Sequence, residues 1–400
     1  MKFLNLKSVI LLIILVLAMA ACGGGGGTEE TADTPTEEPA ETEAEEPAET
    51  VAETAEEPME EACAELTPVT IQLQWVTQSQ FAGYYAAKEK GFYEEECLDV
   101  TIKEGAVEIV PQQVVAAGDA EFGVAWVPKM LASREQGADL VNIAQIFQRS
   151  GTLQVAWADA GIETVEDWAG KRVGTWGFGN EWEVYAALRQ AGIEPNDPDQ
   201  VTIVQQPFDM SLLLNREIDV AQAEIYNEYA QLLEATNPET GELYQPEDFK
   251  VFDYNDVGTA MLQDHVFVRG DWLAEEGNAD IAERFLRATF KGWMFCRDSF
   301  DECVQIVLDN GPTLGEGHMR WQLNEINALI WPSPNGIGVM DDALYQQTVD
   351  ISVDFGVITE APDEAALRTD IAQAALEGLE GDTTGANFQK QDVEVTPGGE

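Results

Sequence analysis

This chain predicts an α/β protein of two lobes around a cleft, closed by a helical C-terminal tail, on three observations. Short apolar runs alternate with amphipathic ones from Pro68 to about residue 258; a single strand pattern follows at 263–269; and the remainder to about Leu379 has helical spacing nearly throughout. Strict alternation of strand and helix patterns argues for parallel sheets covered by helices. A chain that builds one such unit, then a second, then returns with one strand fits two lobes with two or more crossings.

The elements follow in order. Residues 1–21 have the pattern of an export signal: Lys2 and Lys7, an unbroken apolar run at 9–17, then Met19-Ala20-Ala21 ahead of Cys22. The run is shorter than the roughly 20 residues of a spanning helix, so the pattern is that of a lipoprotein signal peptide whose cleavage leaves Cys22 to carry the lipid, palmitate included. Residues 22–65 continue with five glycines and repeats of Glu, Thr, Ala and Pro, and 23–65 hold 16 acids and no base. Such a segment buries too little to offset its ordering entropy and is expected to be a disordered tether. Lobe 1 is expected to begin at 66–154, lobe 2 to occupy 155–260, and lobe 1 to resume with the helical tail at 261–380. Residues 381–400 are polar and expected to be a flexible tail.

Strand patterns fall at 69–74, 98–102, 122–126, 140–147, 153–157, 172–175, 201–204, 220–223 and 263–269. Helical patterns fall between them, at 83–90, 112–117, 129–136, 181–190, 210–215 and 226–235, and again at 281–295. Asp271 is placed as a helix N-cap, and Trp168 and Trp272 sit on helix patterns and are assigned to packing. The crossings between lobes are expected near 152–156 and 259–265.

Composition excludes several functions. Asp and Glu number 74 against 21 Lys and Arg, a net charge of −53, which repels phosphate backbones and anionic lipid surfaces. The two histidines, His265 and His318, and cysteines without CxxC spacing argue against a metal site. Apart from Cys22, four cysteines remain, an even number that suits an exported protein. Cys63 and Cys97 each precede a strand, so parallel neighbours would set them side by side. Cys296 and Cys303 are seven residues apart, about 10.5 Å along one straight helix, too far for a bridge; Asp298-Ser299 reads as a helix stop and new N-cap that would bring them together. Buried free thiols are the alternative for both pairs.

The segment 69–99, VTIQLQWVTQSQFAGYYAAKEKGFYEEECLD, is followed by Phe122-Gly123-Val124-Ala125-Trp126, by 144–152 (AQIFQRSGT), and by Gly170-Lys171-Arg172-Val173-Gly174. In this order the pieces resemble the NMT1/THI5-like solute-binding proteins, over roughly residues 69–310. Cys97 departs from the glycine usual at that place in the family. The resemblance implies a type II periplasmic-binding-protein fold, whose two lobes close over a small ligand and whose loaded form docks on an ABC permease. Family members bind thiamine pyrimidine precursors, riboflavin or alkanesulfonates.

Ligands of open α/β sheets bind at the carboxyl ends of strands, so the loops there supply the candidate ligand-binding residues. They are Trp75, Gln78, Phe81, Tyr84, Trp126 and Gln148 in the first lobe, and Trp176, Asn180, Glu224, Tyr226 and Asp253 in the second. Flat aromatic faces beside amide and carboxylate groups suit a heteroaromatic ligand. The glycines 174, 177 and 179 suit either a phosphate at a helix N-terminus or a tight turn; Arg149 suits either a lobe-to-lobe ion pair or a ligand contact. Glu181, Glu224, Glu228, Asp253 and Asp256 at the second-lobe mouth would repel sulfonate, nitrate or phosphate. A neutral or weakly basic vitamin is favoured, riboflavin first and a hydroxymethylpyrimidine second.

Fungal relatives that make the thiamine pyrimidine need a histidine donor and a cysteine-rich iron site; residues 68–258 hold no histidine. The chain is therefore expected to be a non-enzymatic, cofactor-free, monomeric binding protein, lipid-anchored at the extracytoplasmic face. A ligand-sensing lipoprotein is the remaining alternative.

Overall fold

The computed structural model describes Cys63 and residues 65–400. The expected signal peptide, the lipidation site Cys22 and nearly all of the tether lie outside the described residues.

Among the described residues, ten strands form two five-stranded sheets. They are β1 (Thr67–Gln72), β2 (Leu98–Lys103), β3 (Phe122–Trp126), β4 (Leu140–Gln145), β5 (Thr152–Trp157), β6 (Arg172–Thr175), β7 (Thr202–Gln205), β8 (Val220–Glu224), β9 (Phe249–Asp253) and β10 (Asp264–Arg269). The first sheet runs β2-β1-β3-β10-β4 and the second β7-β6-β8-β5-β9. Neither is wholly parallel, as alternation alone had suggested. The returning strand β10 lies antiparallel between β3 and β4, and β5 lies antiparallel to both β8 and β9. Each is the strand by which the chain enters a sheet from the other lobe, so its direction is set by the crossing and not by a helical crossover.

The crossings themselves are short. Thr152 pairs with Glu224 of the second sheet, so the first crossing falls at 146–151, ahead of the expected 152–156. The second runs through 254–263, as the expected 259–265 partly anticipated. β9 had no counterpart among the expected strands. Asp271 lies inside the short helix Gly270–Leu273 rather than capping it.

The four cysteines other than Cys22 pair as the spacing allowed. Cys63–Cys97 has Cα atoms 5.5 Å apart and sits beside Thr67↔Leu98 at the start of β1 and β2. Cys296–Cys303, at 5.0 Å, spans the break at Ser299 between the helices Asn278–Asp298 and Phe300–Asn310. Trp168 is sealed in the second-lobe core against Phe252, and Trp272 packs edge-on against Phe122.

Residues 381–400, expected to be loose, are packed. Phe388 and Val393 lie on the first-lobe core and Val395 on the second-lobe core. Lys390 pairs with the buried Glu325, and Asn324 exchanges hydrogen bonds with the Gln391 backbone. Three apolar side chains at a seam between cores outweigh the polarity of the segment as a whole. Among the described residues, no helix is long and apolar enough to cross a membrane.

Candidate ligand-binding site

A cleft of about 420 Å³ lies where the carboxyl ends of β1, β3, β6, β7 and β8 converge. Trp75 follows β1, Trp126 ends β3, Trp176 follows β6, Phe208 follows β7, and Glu224 ends β8. All five line the cleft.

Its aromatic tier crosses from one lobe to the other. Trp75 meets Phe208 at 4.7 Å between ring centroids, and Phe208 stacks on Trp176 at 6.0 Å and 14°. Trp126 forms a further face, with the Lys129 ammonium 4.7 Å above its ring; Lys129 Nζ also donates to Asn180 Oδ1 of the second lobe at 2.6 Å. The indole N–H groups of Trp176 and Trp182 are buried at the wall without an acceptor among the described residues. They are donors suited to a ligand carbonyl.

Amides line the remaining edge. Gln78 Nε2 donates to Gln80 Oε1 at 2.7 Å, and Gln80 Nε2 donates to Asp264 Oδ2 at 2.9 Å. Gln74 also donates to Asp264. Burial pushes the Asp264 carboxyl up to about 7, against the pull of these amides and of Lys129. Burial likewise brings Lys129 down to about 8. Glu224 is raised well above the carboxylate range by burial first and then by Glu228 and Glu183, and it accepts from Thr152 Oγ1 at 3.1 Å. Such a carboxyl holds a proton and offers both a donor and an acceptor.

Of the expected site residues, Trp75, Gln78, Trp126, Trp176, Asn180, Glu224 and Tyr226 are brought to the cleft. The other four are not. Phe81 is fully buried in the first-lobe core. Tyr84 faces the same way, edge-on to Trp293 at 5.9 Å, because the helix Ala82–Glu89 turns it inward. Gln148 donates to Gln145 O at 2.7 Å and lines a separate crevice behind the crossing. Asp253 caps the short helix Tyr254–Val257 through Asn255 N. Arg149 neither bridges the lobes through a carboxylate nor enters the cleft; it donates to the carbonyls of Ala328, Leu329, Trp331 and Pro332. Gly177, Phe178 and Gly179 have φ of 72°, 57° and 83°, a left-handed turn that glycine eases, with Phe178 carried at the mouth, 65% exposed.

Phe208, Lys129, Trp182, Asn227 and the pair Gln74 and Gln80 also line the cleft and were missing from the expected ligand-binding set; Glu228, expected at the second-lobe mouth as a charge that repels anions, lines it too. Phe208 follows a strand end, as the named aromatics do, and that position alone would have found it.

Comparison with known proteins agrees with this architecture. A profile of the family described as NMT1/THI5 like matches residues 78–302. The formylaminopyrimidine-binding protein of Halalkalibacterium halodurans is 24% identical over 61% of this chain and 71% of its own length. The riboflavin-binding protein RibY of Chloroflexus aurantiacus is 24% identical over 74% and 84%. The periplasmic aliphatic sulphonate binding protein SsuA of Escherichia coli shares the fold, with a TM-score of 0.54 at 15% identity over 82% of this chain and 96% of that one.

Proposed function

The chain belongs to the NMT1/THI5-like family, and on that premise we propose that it is a solute-binding protein that presents a neutral heteroaromatic vitamin, riboflavin, to an ABC importer. Anchored through a lipid on Cys22, it would act at the extracytoplasmic face of a membrane. The observation that carries this reading is the tier Trp75–Phe208–Trp176 in a cleft of about 420 Å³. That volume lies in the range of roughly 300–1,000 Å³ that holds drug-sized ligands, and a lone pyrimidine would leave much of it unfilled. The likeness to RibY supports the same choice.

The ligand's ring system enters the open cleft and lies on the aromatic tier. Gln74, Gln78 and Asn180 meet its polar edge, and the indole N–H groups of Trp176 and Trp182 donate to its carbonyls. Among the described residues Lys129 is the single cation lining the cleft, and its ammonium is already held by Asn180 Oδ1 and the face of Trp126, so an anion finds little unspent positive charge. His265 is sealed in the first sheet against Met130, and burial pushes it down to about 3; it is out of reach of a ligand and cannot serve as a proton shuttle near neutrality. We read the protein as a receptor and not an enzyme.

A second reading rests on Glu224. A buried, protonated carboxyl can donate to a ring nitrogen and accept from the adjacent amino group of an aminopyrimidine, in keeping with the formylaminopyrimidine-binding relative. Calorimetric titration of the full chain with riboflavin and hydroxymethylpyrimidine, side by side, separates the two. Submicromolar riboflavin binding with quenched flavin fluorescence is expected; pyrimidine binding alone would move the assignment to the second reading, and binding of neither would remove both.

A further inference from the structure

The helix Glu316–Ile330 has two working faces. Met319, Leu323, Ile326 and Ile330 are buried in the first-lobe core, and Met319 O accepts from Ser79 Oγ at 2.8 Å. His318, Trp321 and Gln322, spaced i, i+3 and i+4 and so on one face, reach the second lobe instead. His318 Nδ1 lies 2.8 Å from Glu234 Oε1, and its Nε2 lies 2.9 Å from Asn227 Oδ1. Trp321 Nε1 donates to Ile225 O at 2.9 Å, and Gln322 Nε2 donates to Asn227 Oδ1 at 3.1 Å.

The two ends of this helix differ. At its C-terminal end Leu329 O accepts from Gln148 N at 2.9 Å, which ties it to the first crossing between lobes. His318 is eleven residues away, about 16 Å along the axis. A rotation of the lobes about the crossings is small at Leu329 and large at His318, so the contacts of His318 and Trp321 must break or strain as the cleft opens. The segment Pro397–Gly399 seals the junction: a Cβ on Gly399 would lie 2.7 Å from His318 Cβ and 3.0 Å from Glu234 Oε2.

We propose that this helix is a latch holding the two lobes at their ligand-binding spacing, and that His318 is a positioning residue for the cleft. His318 itself does not line the cleft, but it fixes Asn227, which does. Gln322 extends the chain of contacts to Gln78 Oε1, also at the cleft wall, at 3.1 Å. The proposal rests on the binding-protein reading only in taking the lobes to open and close.

The test is hydrogen exchange on the full chain without ligand, comparing wild type with His318→Ala and Trp321→Phe; the latter keeps an aromatic ring and loses the N–H, so it guards against misfolding of the first. Both variants should speed exchange at residues 177–185, on the far rim of the cleft and in contact with neither residue. His318→Gln, which retains one amide donor, should fall between His318→Ala and wild type. Faster exchange confined to 228–234 and 316–322, with the far rim unchanged, would overturn the latch and leave a local packing role. Riboflavin affinity should fall roughly tenfold in His318→Ala, the loss of two hydrogen bonds. If wild type binds no riboflavin, the ligand assignment fails while the exchange result still decides the latch.

Discussion

Trp75 and Phe208 belong to different lobes and meet at 4.7 Å between ring centroids. A ligand lying against this pair touches both halves of the molecule at once, so stacking and lobe closure are coupled through one contact.

Replacing either ring should therefore be costly. Aromatic pairs contribute about 0.5–1.5 kcal/mol beyond the area they bury, and about 1.4 kcal/mol is a factor of ten. Trp75→Ala and Phe208→Ala are each expected to weaken riboflavin binding at least tenfold by calorimetry. Unchanged affinity in both would place the ligand elsewhere.

Charge selectivity follows from Lys129. Its ammonium is already committed to Asn180 and to the face of Trp126, beside raised carboxyls at Glu224 and Glu228. Ethanesulfonate and nitrate are expected to give no binding heat under conditions where the vitamin titrates. Micromolar binding of either would show that Lys129 is free to pair with an anion.

Asp264 makes a signed prediction for stability. Its folded carboxyl keeps a proton up to about 7, whereas an unfolded one releases it near 4. Between those values the folded state binds more protons, so this group's contribution grows as pH falls from about 7 to about 4 and is lost as pH rises through 7. The neighbouring His265, neutral in the fold down to about 3, acts in the opposite sense below about 6.5. Comparing wild type with Asp264→Asn cancels His265. The stability of wild type relative to the variant should rise on going from pH 7.5 to pH 5 in denaturant titrations; identical shifts would contradict the raised carboxyl.

Cys97 stands at φ 57°, a left-handed conformation that costs a non-glycine residue roughly 1–2 kcal/mol. Cys97→Gly and Cys97→Ala both remove the bridge to Cys63, but glycine also relieves the backbone. The glycine variant should be the more stable of the two by about 1 kcal/mol in chemical denaturation. Equal stabilities would mean that the residue is not held left-handed once the bridge is gone.

Much of this architecture was legible. Strand and helix patterns placed β3 and β6 to the residue, and the stop at Asp298-Ser299 foretold the helix break that lets Cys296 reach Cys303. β9 was missed because Phe249–Asp253 carries Lys250 and Asp253 among its five residues and follows a long polar stretch. Phe81 and Tyr84 were misassigned for a different reason: they leave a strand-end loop, yet both turn into the first-lobe core, Tyr84 against Trp293 of the neighbouring helix. Asp264 escaped notice because its importance comes from β10 entering antiparallel, which puts the first residue of that strand, rather than its last, opposite Trp126 at the cleft.

The placement of β10 also has a bearing on how the chain reaches this state during synthesis. Every strand of the second sheet lies within residues 152–253, so that sheet can be completed as soon as β9 emerges. The first sheet cannot: until residues 264–269 are made, β3 and β4 each present an unpaired edge, and such edges are open to mispairing. The lobe that begins first in sequence is thus the one that finishes last, and the waiting interval, one whole lobe long, is the period in which a nascent copy is most exposed to association with another.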